Sequence, residues 1–294
     1  MSRARSTARD ADAVTDGDDG DDRPAGATPA RAQRDSTRRR PRSPGVPRPA
    51  ADPPIELSEQ DGVRYLHFGS RWIQGAMRVR RPFDIELDYV RHMMAWLLFM
   101  APPARILQLG LGAAALTKWC WKHLPESEVT AVDASLAVIG ACRRYFALPD
   151  DDDRLAVVHA DAGDYVASPR VRGLFGVVQV DLYDRDARGP VLDSPEFYRA
   201  CRGAIAEPGM LVVNLFGSDP ASFERSRRRI ADAFDDRVLV LPPVEAGNLV
   251  VLALAGPPLA VDAAMLFARA ADVERRWRLP ARGWAKALRD RLGA

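Results

Sequence analysis

The stretch R-I-L-Q-L-G-L-G, residues 105–112, decides the fold class of this chain of 294 residues. Its first five residues predict a short apolar strand, and residues 113–124 after it favour a helix. Between them, Gly110 and Gly112 would let a ligand approach the backbone closely and meet the free N–H groups at the start of that helix. Because Ala115 takes the place of the third glycine of a G-x-G-x-x-G motif, a tight turn without a ligand is the alternative.

The same alternation of strand and helix continues along the chain. Further strands are predicted at 129–132, 155–159, 177–180, 210–215, 237–241 and 248–253, and helices at 136–146, 197–206 and 221–234. Strands that are separated by helices form a mostly parallel sheet with helices on both faces. The sequence therefore predicts an α/β fold with a doubly wound sheet over residues 83–256, entered through a buried helix at 85–100.

The two ends of the chain differ from this region in composition. Residues 1–54 contain no aromatic residue and few aliphatic ones, so they predict a disordered tail in which an acidic cluster precedes a basic one. The basic cluster could contact nucleic acid or an anionic membrane surface, but a solvated, self-attracting tail is favoured. Residues 55–82 predict a small β unit with a hairpin of strands 63–68 and 72–79, and residues 257–294 predict amphipathic helices.

Composition and charge exclude several classes of function. Basic residues number 42 and acidic residues 40, so the formal net charge of +2 indicates no nucleic-acid partner. The 3 cysteines and 4 histidines lack the spacings of zinc or redox motifs. The longest apolar stretch, residues 93–103, is shorter than the roughly 20 residues that cross a membrane, and the N-terminus lacks the apolar core of a signal peptide. The sequence therefore predicts a cytoplasmic protein without a metal or a membrane partner.

Two acidic residues follow predicted strands where a nucleoside would bind. Asp133 comes 23 residues after Gly110, the spacing at which an acid commonly holds the hydroxyls of a ribose. The alternative is a helix cap, since Asp133 or Ser135 could cap the helix that follows. Asp161 would accept a hydrogen bond from the adenine amino group, with the small Ala162 keeping the base near the backbone, or it would instead form a local turn.

The segment V-V-Q-V-D-L-Y-D, residues 177–184, places two carboxylates at the end of one buried strand. Two acids at the mouth of a site suit a cationic amine, because one can take a proton from the ammonium and the other can orient it. Asp181 and Asp184 are therefore candidates for binding and activating a polyamine. In the alternative interpretation, Asp184 caps the following turn and Asp181 merely ends the strand.

An ordered set of motifs resembles one enzyme family. The motifs are WIQGAM at 72–77, LDY at 87–89, ILQLGLG at 106–112, VTAVD at 129–133, RRYFALP at 143–149, VVHADA at 157–162, VDLYD at 180–184, GP at 189–190 and SPEFY at 194–198. Together they resemble the polyamine aminopropyltransferases, the spermidine synthase family, and most of all its divergent bacterial spermidine synthase-like members. The resemblance covers residues 61–254.

This resemblance implies a fold, a reaction and a set of roles. The implied fold is a Rossmann-like sheet, as in S-adenosylmethionine-dependent methyltransferases, preceded by a small N-terminal β-hairpin domain. The implied reaction moves an aminopropyl group from decarboxylated S-adenosylmethionine to an amine such as putrescine, without a metal, in a protein that often forms homodimers. By position, the resemblance makes Asp181 the catalytic base. It assigns Gln74, Tyr89 and Asp184 to the substrate, and Gly110, Gly112, Asp133, Asp161 and Ala162 to the donor.

Two departures from the family pattern bear on the donor and the acceptor. The family's glycine motif usually reads G-G-G-D-G-G, and its acid grips the donor's ammonium, whereas this chain has Ala113 there. The family commonly has His-Glu after the tyrosine, whereas Val90 and Arg91 stand here. The alternatives are therefore a methyltransferase-like enzyme that uses intact S-adenosylmethionine, or a non-catalytic nucleoside- or polyamine-binding protein.

Overall fold

Two sheets organise the part of the chain that the structure, a computed structural model, describes. The described residues are 52, 54–183, 191–217, 219–244, 247–257 and 262–292. Of the predicted tail, residues 1–54, only residues 52 and 54 are described. Asp184 also lies outside the described residues. Within the described ranges, none of the helices combines the length and apolar character that a membrane crossing requires.

The first sheet is antiparallel and has three strands in the order β1-β2-β3. They are β1 (Glu56–Gln60), β2 (Val63–His67) and β3 (Gly75–Arg78). The predicted hairpin is present as β2 and β3. Strand β1 was not predicted because all five of its residues are exposed, so no alternation of apolar and polar residues marks it.

The second sheet has seven strands in the order β6-β5-β4-β7-β8-β10-β9. The strands are β4 (Arg105–Leu109), β5 (Glu128–Asp133), β6 (Leu155–His159), β7 (Phe175–Val180), β8 (Ile205–Phe216), β9 (Val238–Val240) and β10 (Asn248–Ala255). Strand β10 runs antiparallel to both of its neighbours, and the other pairs are parallel. The predicted α/β class is confirmed. The strand order reverses between β4 and β7, which is where ligands bind in sheets of this kind.

Eight helices are described. They are α1 (Asp88–His92), α2 (Ala115–His123), α3 (Leu136–Tyr145), α4 (Ala162–Ala167), α5 (Pro195–Ala204), α6 (Pro220–Ala233), α7 (Ala263–Trp277) and α8 (Ala281–Leu292). The second, third, fifth and sixth lie where the sequence predicted helices, whereas α4, between β6 and β7, was not predicted.

The prediction of a single buried helix over residues 85–100 is wrong. The chain forms the short α1 and then a 3-10 turn at residues 95–98. Side chains from other elements bind the carbonyls of this segment: Gln179 donates to the Met93 oxygen at 2.9 Å, and Arg269 of α7 donates to the Leu97 oxygen at 2.8 Å. These tertiary hydrogen bonds satisfy the carbonyls that a longer helix would have paired internally.

Lys118 of α2 is a charged side chain inside the core. It is 1% exposed, and its Nζ donates to the carbonyl oxygen of Phe146 at 2.6 Å, at the C-terminal end of α3. Burial lowers the pKa of Lys118 to about 8. The positive end of the side chain therefore stabilises the carbonyl end of a neighbouring helix at the cost of desolvation.

We expect the stability of the protein to depend on Lys118 at alkaline pH. Between pH 8 and the ordinary lysine value of about 10.4, the unfolded chain holds this proton and the folded chain does not, so its contribution to the free energy of unfolding rises with pH. Between these two pH values, the free energy of unfolding of wild type should rise by about 3 kcal/mol relative to that of Lys118→Met, as measured by urea denaturation. Lys122→Met, on the exposed face of the same helix, is the control and should keep the wild-type slope. Parallel curves for wild type and Lys118→Met would contradict this assignment.

Candidate active site

A cavity of about 1070 Å³ lies at the carboxyl ends of β4, β5, β6 and β7, next to the three-stranded sheet. Its lining brings together eight of the nine residues that the sequence singled out: Gln74, Tyr89, Gly110, Gly112, Asp133, Asp161, Ala162 and Asp181. The ninth, Asp184, lies outside the described residues. Among the described residues, no His, Cys, Asp and Glu side chains are grouped as the ligands of a metal ion would be.

The loop after β4 needs both of its glycines. Gly110 has φ +91°, and a Cβ atom placed on it would lie 2.1 Å from the carbonyl oxygen of Asp181. Gly112 has φ +51°, and its Cβ would lie 2.8 Å from the carbonyl oxygen of Gln74. Both glycines therefore allow a left-handed turn and a close backbone approach at once, which a residue with a side chain would prevent.

Asp133 ends β5 with its carboxylate on the cavity. Its Oδ2 accepts from the backbone N–H of Leu111, and its Oδ1 accepts from the N–H of Ser135, both at 2.9 Å. Burial raises the pKa of Asp133, and these two hydrogen bonds oppose that shift. Asp133 is not the helix cap, because the Ser135 side chain caps α3 by accepting from the N–H of Val138.

Asp161 lies in the cavity wall and also caps a helix. Its Oδ1 accepts from the N–H of Asp164 at 2.9 Å, at the start of α4. The local role that the sequence left open is therefore present, together with exposure to the cavity. Ala162 beside it is buried and presents only a methyl group to this part of the lining.

Asp181 follows β7 and sits at the centre of a polar cluster. Its Oδ1 accepts from the Asn214 amide at 2.8 Å, and its Oδ2 accepts from the Tyr89 hydroxyl at 3.3 Å. Burial raises the pKa of Asp181, and the two hydrogen bonds oppose the shift. Burial, followed by the charge of Asp181, raises the pKa of Tyr89, so this hydroxyl keeps its proton and remains a donor. The carboxylate is thus a stronger base than an exposed aspartate and is held in one orientation.

Sequence reasoning missed several residues of this site. Asn214 and Asn248, on the neighbouring strands β8 and β10, are both buried and joined by a hydrogen bond. A signal existed for Asn214, because it is a polar residue inside the otherwise apolar run M-L-V-V-N-L-F. Trp72 and Phe216 form an edge-to-face pair with ring centroids 5.6 Å apart on the cavity wall. No local pattern brings these two rings together, since they are distant in the chain.

The two departures from the family pattern have structural counterparts. Ala113 is buried and lies against β3, where a Cβ placed on Gly75 would come within 2.5 Å of the Ala113 Cβ. The Ala113 methyl group therefore packs against β3, and Ala113 is not among the residues that line the cavity. Arg91, which stands where the family has an acid, pairs with Asp88 at 2.5 Å.

Comparison with known proteins places this geometry in a family. No protein-family model matches the chain. The polyamine aminopropyltransferase of Chromobacterium violaceum is 34% identical over 234 residues, which cover 79% of this chain and 88% of the relative. The polyamine aminopropyltransferase of Neisseria meningitidis serogroup A is 34% identical over 207 residues, covering 70% and 78%. The chain belongs to the polyamine aminopropyltransferase family. The resemblance that the motifs indicated is confirmed.

Solved structures share the fold. The spermidine synthase of Thermotoga maritima superposes with a TM-score of 0.55 at 20% identity, covering 81% of this chain and 87% of that one. Human methyltransferase-like protein 13, solved in complex with SAH, gives a TM-score of 0.59 at 21% identity, covering 66% and 93%. The Rossmann-like fold that the resemblance implied is therefore confirmed.

Proposed function

We propose that this chain transfers the aminopropyl group of decarboxylated S-adenosylmethionine to an amine such as putrescine. The observation that carries the proposal is the half-buried Asp181 carboxylate, which shares one cavity with the glycine loop and Asp133. The Rossmann-like fold and the family membership support the same reaction. A spermidine synthase that shares this fold was solved with the transition-state analogue AdoDATO, which fits a donor of the adenosylmethionine type.

The donor's nucleoside would occupy the half of the cavity formed by β4, β5 and β6. Asp133 would accept hydrogen bonds from the ribose hydroxyls, and Asp161 would accept from the adenine amino group above Ala162. Gly110 and Gly112 would let the nucleoside lie against the backbone. The sulfonium would then face Asp181, across the end of β7.

The acceptor amine would approach from the side of Gln74 and Tyr89, with Asp184 as a second carboxylate for its ammonium. An amine attacks only as the free base, so the carboxylate of Asp181 takes one proton from the nitrogen. The new N–C bond forms on the aminopropyl carbon as the C–S bond breaks, and its electron pair passes to sulfur. The sulfonium thereby becomes the neutral thioether methylthioadenosine. Alignment of the two reactants supplies much of the acceleration.

Ala113 is the observation that favours a second candidate function. Position 113 carries no acid, and its methyl group packs against Gly75 outside the cavity lining, so this residue cannot hold the ammonium of a decarboxylated donor. A methyl transfer from intact S-adenosylmethionine is the rival, and the structural similarity to human methyltransferase-like protein 13 is compatible with it.

Ligand binding and product analysis test the proposal directly. Purified protein is titrated by calorimetry with S-adenosylmethionine, its decarboxylated form and methylthioadenosine, and then putrescine is added and methylthioadenosine is assayed. We expect tighter binding of the decarboxylated donor and release of methylthioadenosine that requires the amine. Binding of intact S-adenosylmethionine alone would favour methyl transfer, and binding without turnover would favour a non-catalytic role.

A further inference from the structure

A chain of hydrogen bonds along the cavity wall ends on the carboxylate of Asp181. Asn248 donates from Nδ2 to Oδ1 of Asn214 at 3.0 Å, and Asn214 donates from Nδ2 to Oδ1 of Asp181 at 2.8 Å. Both asparagines are buried, with 2% and 6% of the surface of Asn214 and Asn248 exposed. Buried amides that bind each other and a carboxylate are unusual enough in a sheet of apolar strands to need a reason.

The sheet itself places the two amides on one face. In the antiparallel pair β8 and β10, Asn248 is opposite Phe216, and Asn214 lies two residues earlier on the same face of β8. Strand β7 has already ended at Val180. Beyond that point the backbone of β8 is bound by the side chain of Tyr183 instead of by β7. The Tyr183 hydroxyl donates to the Asn214 carbonyl oxygen and accepts from the Phe216 N–H.

The direction of the chain follows from the chemistry of a carboxylate. An ionised carboxylate only accepts hydrogen bonds, so Asn214 must present its NH2 group to Asp181. If the Asn214 amide group rotated by 180°, its oxygen would face an oxygen of Asp181. The carboxylate oxygen and the amide oxygen would then each lose their hydrogen-bond donor. The NH2 group of Asn248 occupies the Asn214 oxygen and so opposes this rotation.

We infer that Asn214 and Asn248 are positioning residues for the Asp181 carboxylate, with Asn248 acting only through Asn214. Asn214 holds one carboxylate oxygen and the Tyr89 hydroxyl holds the other, so the carboxylate plane is set from two sides. Among the described residues, the ionisable groups beside Asp181 are Tyr89 from α1 and Tyr183 after β7, and the burial of both hydroxyls raises their pKa values. The catalytic role of this orientation rests on the proposed function. The orientation of the carboxylate itself rests only on the hydrogen bonds.

The test is a titration of the Asp181 carboxyl by 13C NMR in protein labelled at aspartate Cγ, with the signal assigned through Asp181→Asn. Removing a hydrogen bond to the charged form raises a carboxyl pKa, so Asn214→Leu should raise the pKa of Asp181 by about 1. Asn248→Leu should raise it by less. The double variant should match Asn214→Leu alone, because without Asn214 nothing connects Asn248 to the carboxylate.

Controls separate positioning from loss of structure. Ser226→Ala removes a buried hydroxyl of α6 that donates to the Ser222 carbonyl oxygen, and it should leave the Asp181 titration unchanged. Asn214→Ala removes the same amide without adding apolar bulk, and it replaces Asn214→Leu if that variant does not fold. If the enzyme is active, the acid limb of kcat/KM should move to higher pH in the same order of variants.

Each outcome bears on one claim. An Asp181 pKa that is the same in wild type and Asn214→Leu would overturn the inference, and so would effects of the two substitutions that add in the double variant. The titration needs no substrate. A wild-type protein that releases no methylthioadenosine would therefore refute the proposed function while the NMR result still decides the role of the asparagines.

Discussion

Replacement of Asp181 by asparagine is expected to lower the rate of methylthioadenosine release by about 10²–10⁴-fold, the range for loss of a general base. Asparagine has nearly the same shape and can still bind the Asn214 amide, but it cannot take a proton from the acceptor ammonium. Binding of methylthioadenosine should remain near the wild-type value, because the ribose contacts proposed for Asp133 are untouched. Single-turnover kinetics and calorimetry measure the two effects separately.

Asp232→Asn is the matched control for this change. Asp232 is an exposed carboxylate on α6 and does not line the cavity, so its loss should leave both turnover and binding unchanged. Wild-type turnover in Asp181→Asn would show that Asp181 is not the base. Equal losses of turnover and methylthioadenosine binding would instead point to a damaged site.

The pH profile of the wild-type enzyme provides a second check on Asp181. A base works only when it is deprotonated, and burial raises the pKa of this carboxyl above its ordinary value. The rate should therefore begin to fall at a higher pH than an exposed aspartate would cause, as acid protonates the carboxylate. Asp181→Asn should lose this limb of the profile altogether.

Gly110→Ala is expected to have the largest effect on stability. A Cβ atom at this position meets the Asp181 carbonyl oxygen at 2.1 Å, and backbone cannot move aside as the end of a flexible side chain can. We expect a loss of about 3 kcal/mol or more in the free energy of unfolding, measured by urea denaturation. Any protein that folds should also bind methylthioadenosine much more weakly, because the displaced loop lines the nucleoside half of the cavity.

Gly173→Ala isolates the cost of the backbone angle. Gly173 also has a left-handed backbone, with φ +62°, but a Cβ there meets no atom within 4 Å. This variant should lose only about 1–2 kcal/mol, the cost of a left-handed alanine, and should keep ligand binding. If Gly110→Ala were no more damaging than Gly173→Ala, the contact with Asp181 would not be what requires glycine at position 110.

Local patterns were sufficient to predict which residues lie at the ends of the strands β4, β5 and β7 that face the cavity. Gly110, Asp133 and Asp181 each follow a short apolar run, and parallel strands bring their carboxyl ends to the same edge of a sheet. The motifs around these residues were specific enough to indicate the family, which the relatives confirmed. The prediction failed between residues 85 and 100, where the helical spacing of apolar residues is real but the carbonyls are bound by Gln179 and Arg269.

The partners of each site residue depended on the tertiary structure. The choice between Asp133 and Ser135 as the cap of α3 could not be made from the sequence, because either oxygen can accept from the same backbone amides. The hydrogen bonds from Asn248 to Asn214 and from Asn214 to Asp181 join β10, β8 and the end of β7. These elements are distant in the chain, and no periodicity describes such contacts.

The sequence by itself therefore determined the family, the strand–helix order and the edge of the sheet where the acids gather, because these follow from short-range patterns of polarity. Only the tertiary structure decided that Ala113 packs against Gly75 rather than facing the cavity, and that a buried amide orients the proposed base. Both depend on how separate elements fill space and satisfy each other's hydrogen bonds, which is a property of the folded chain.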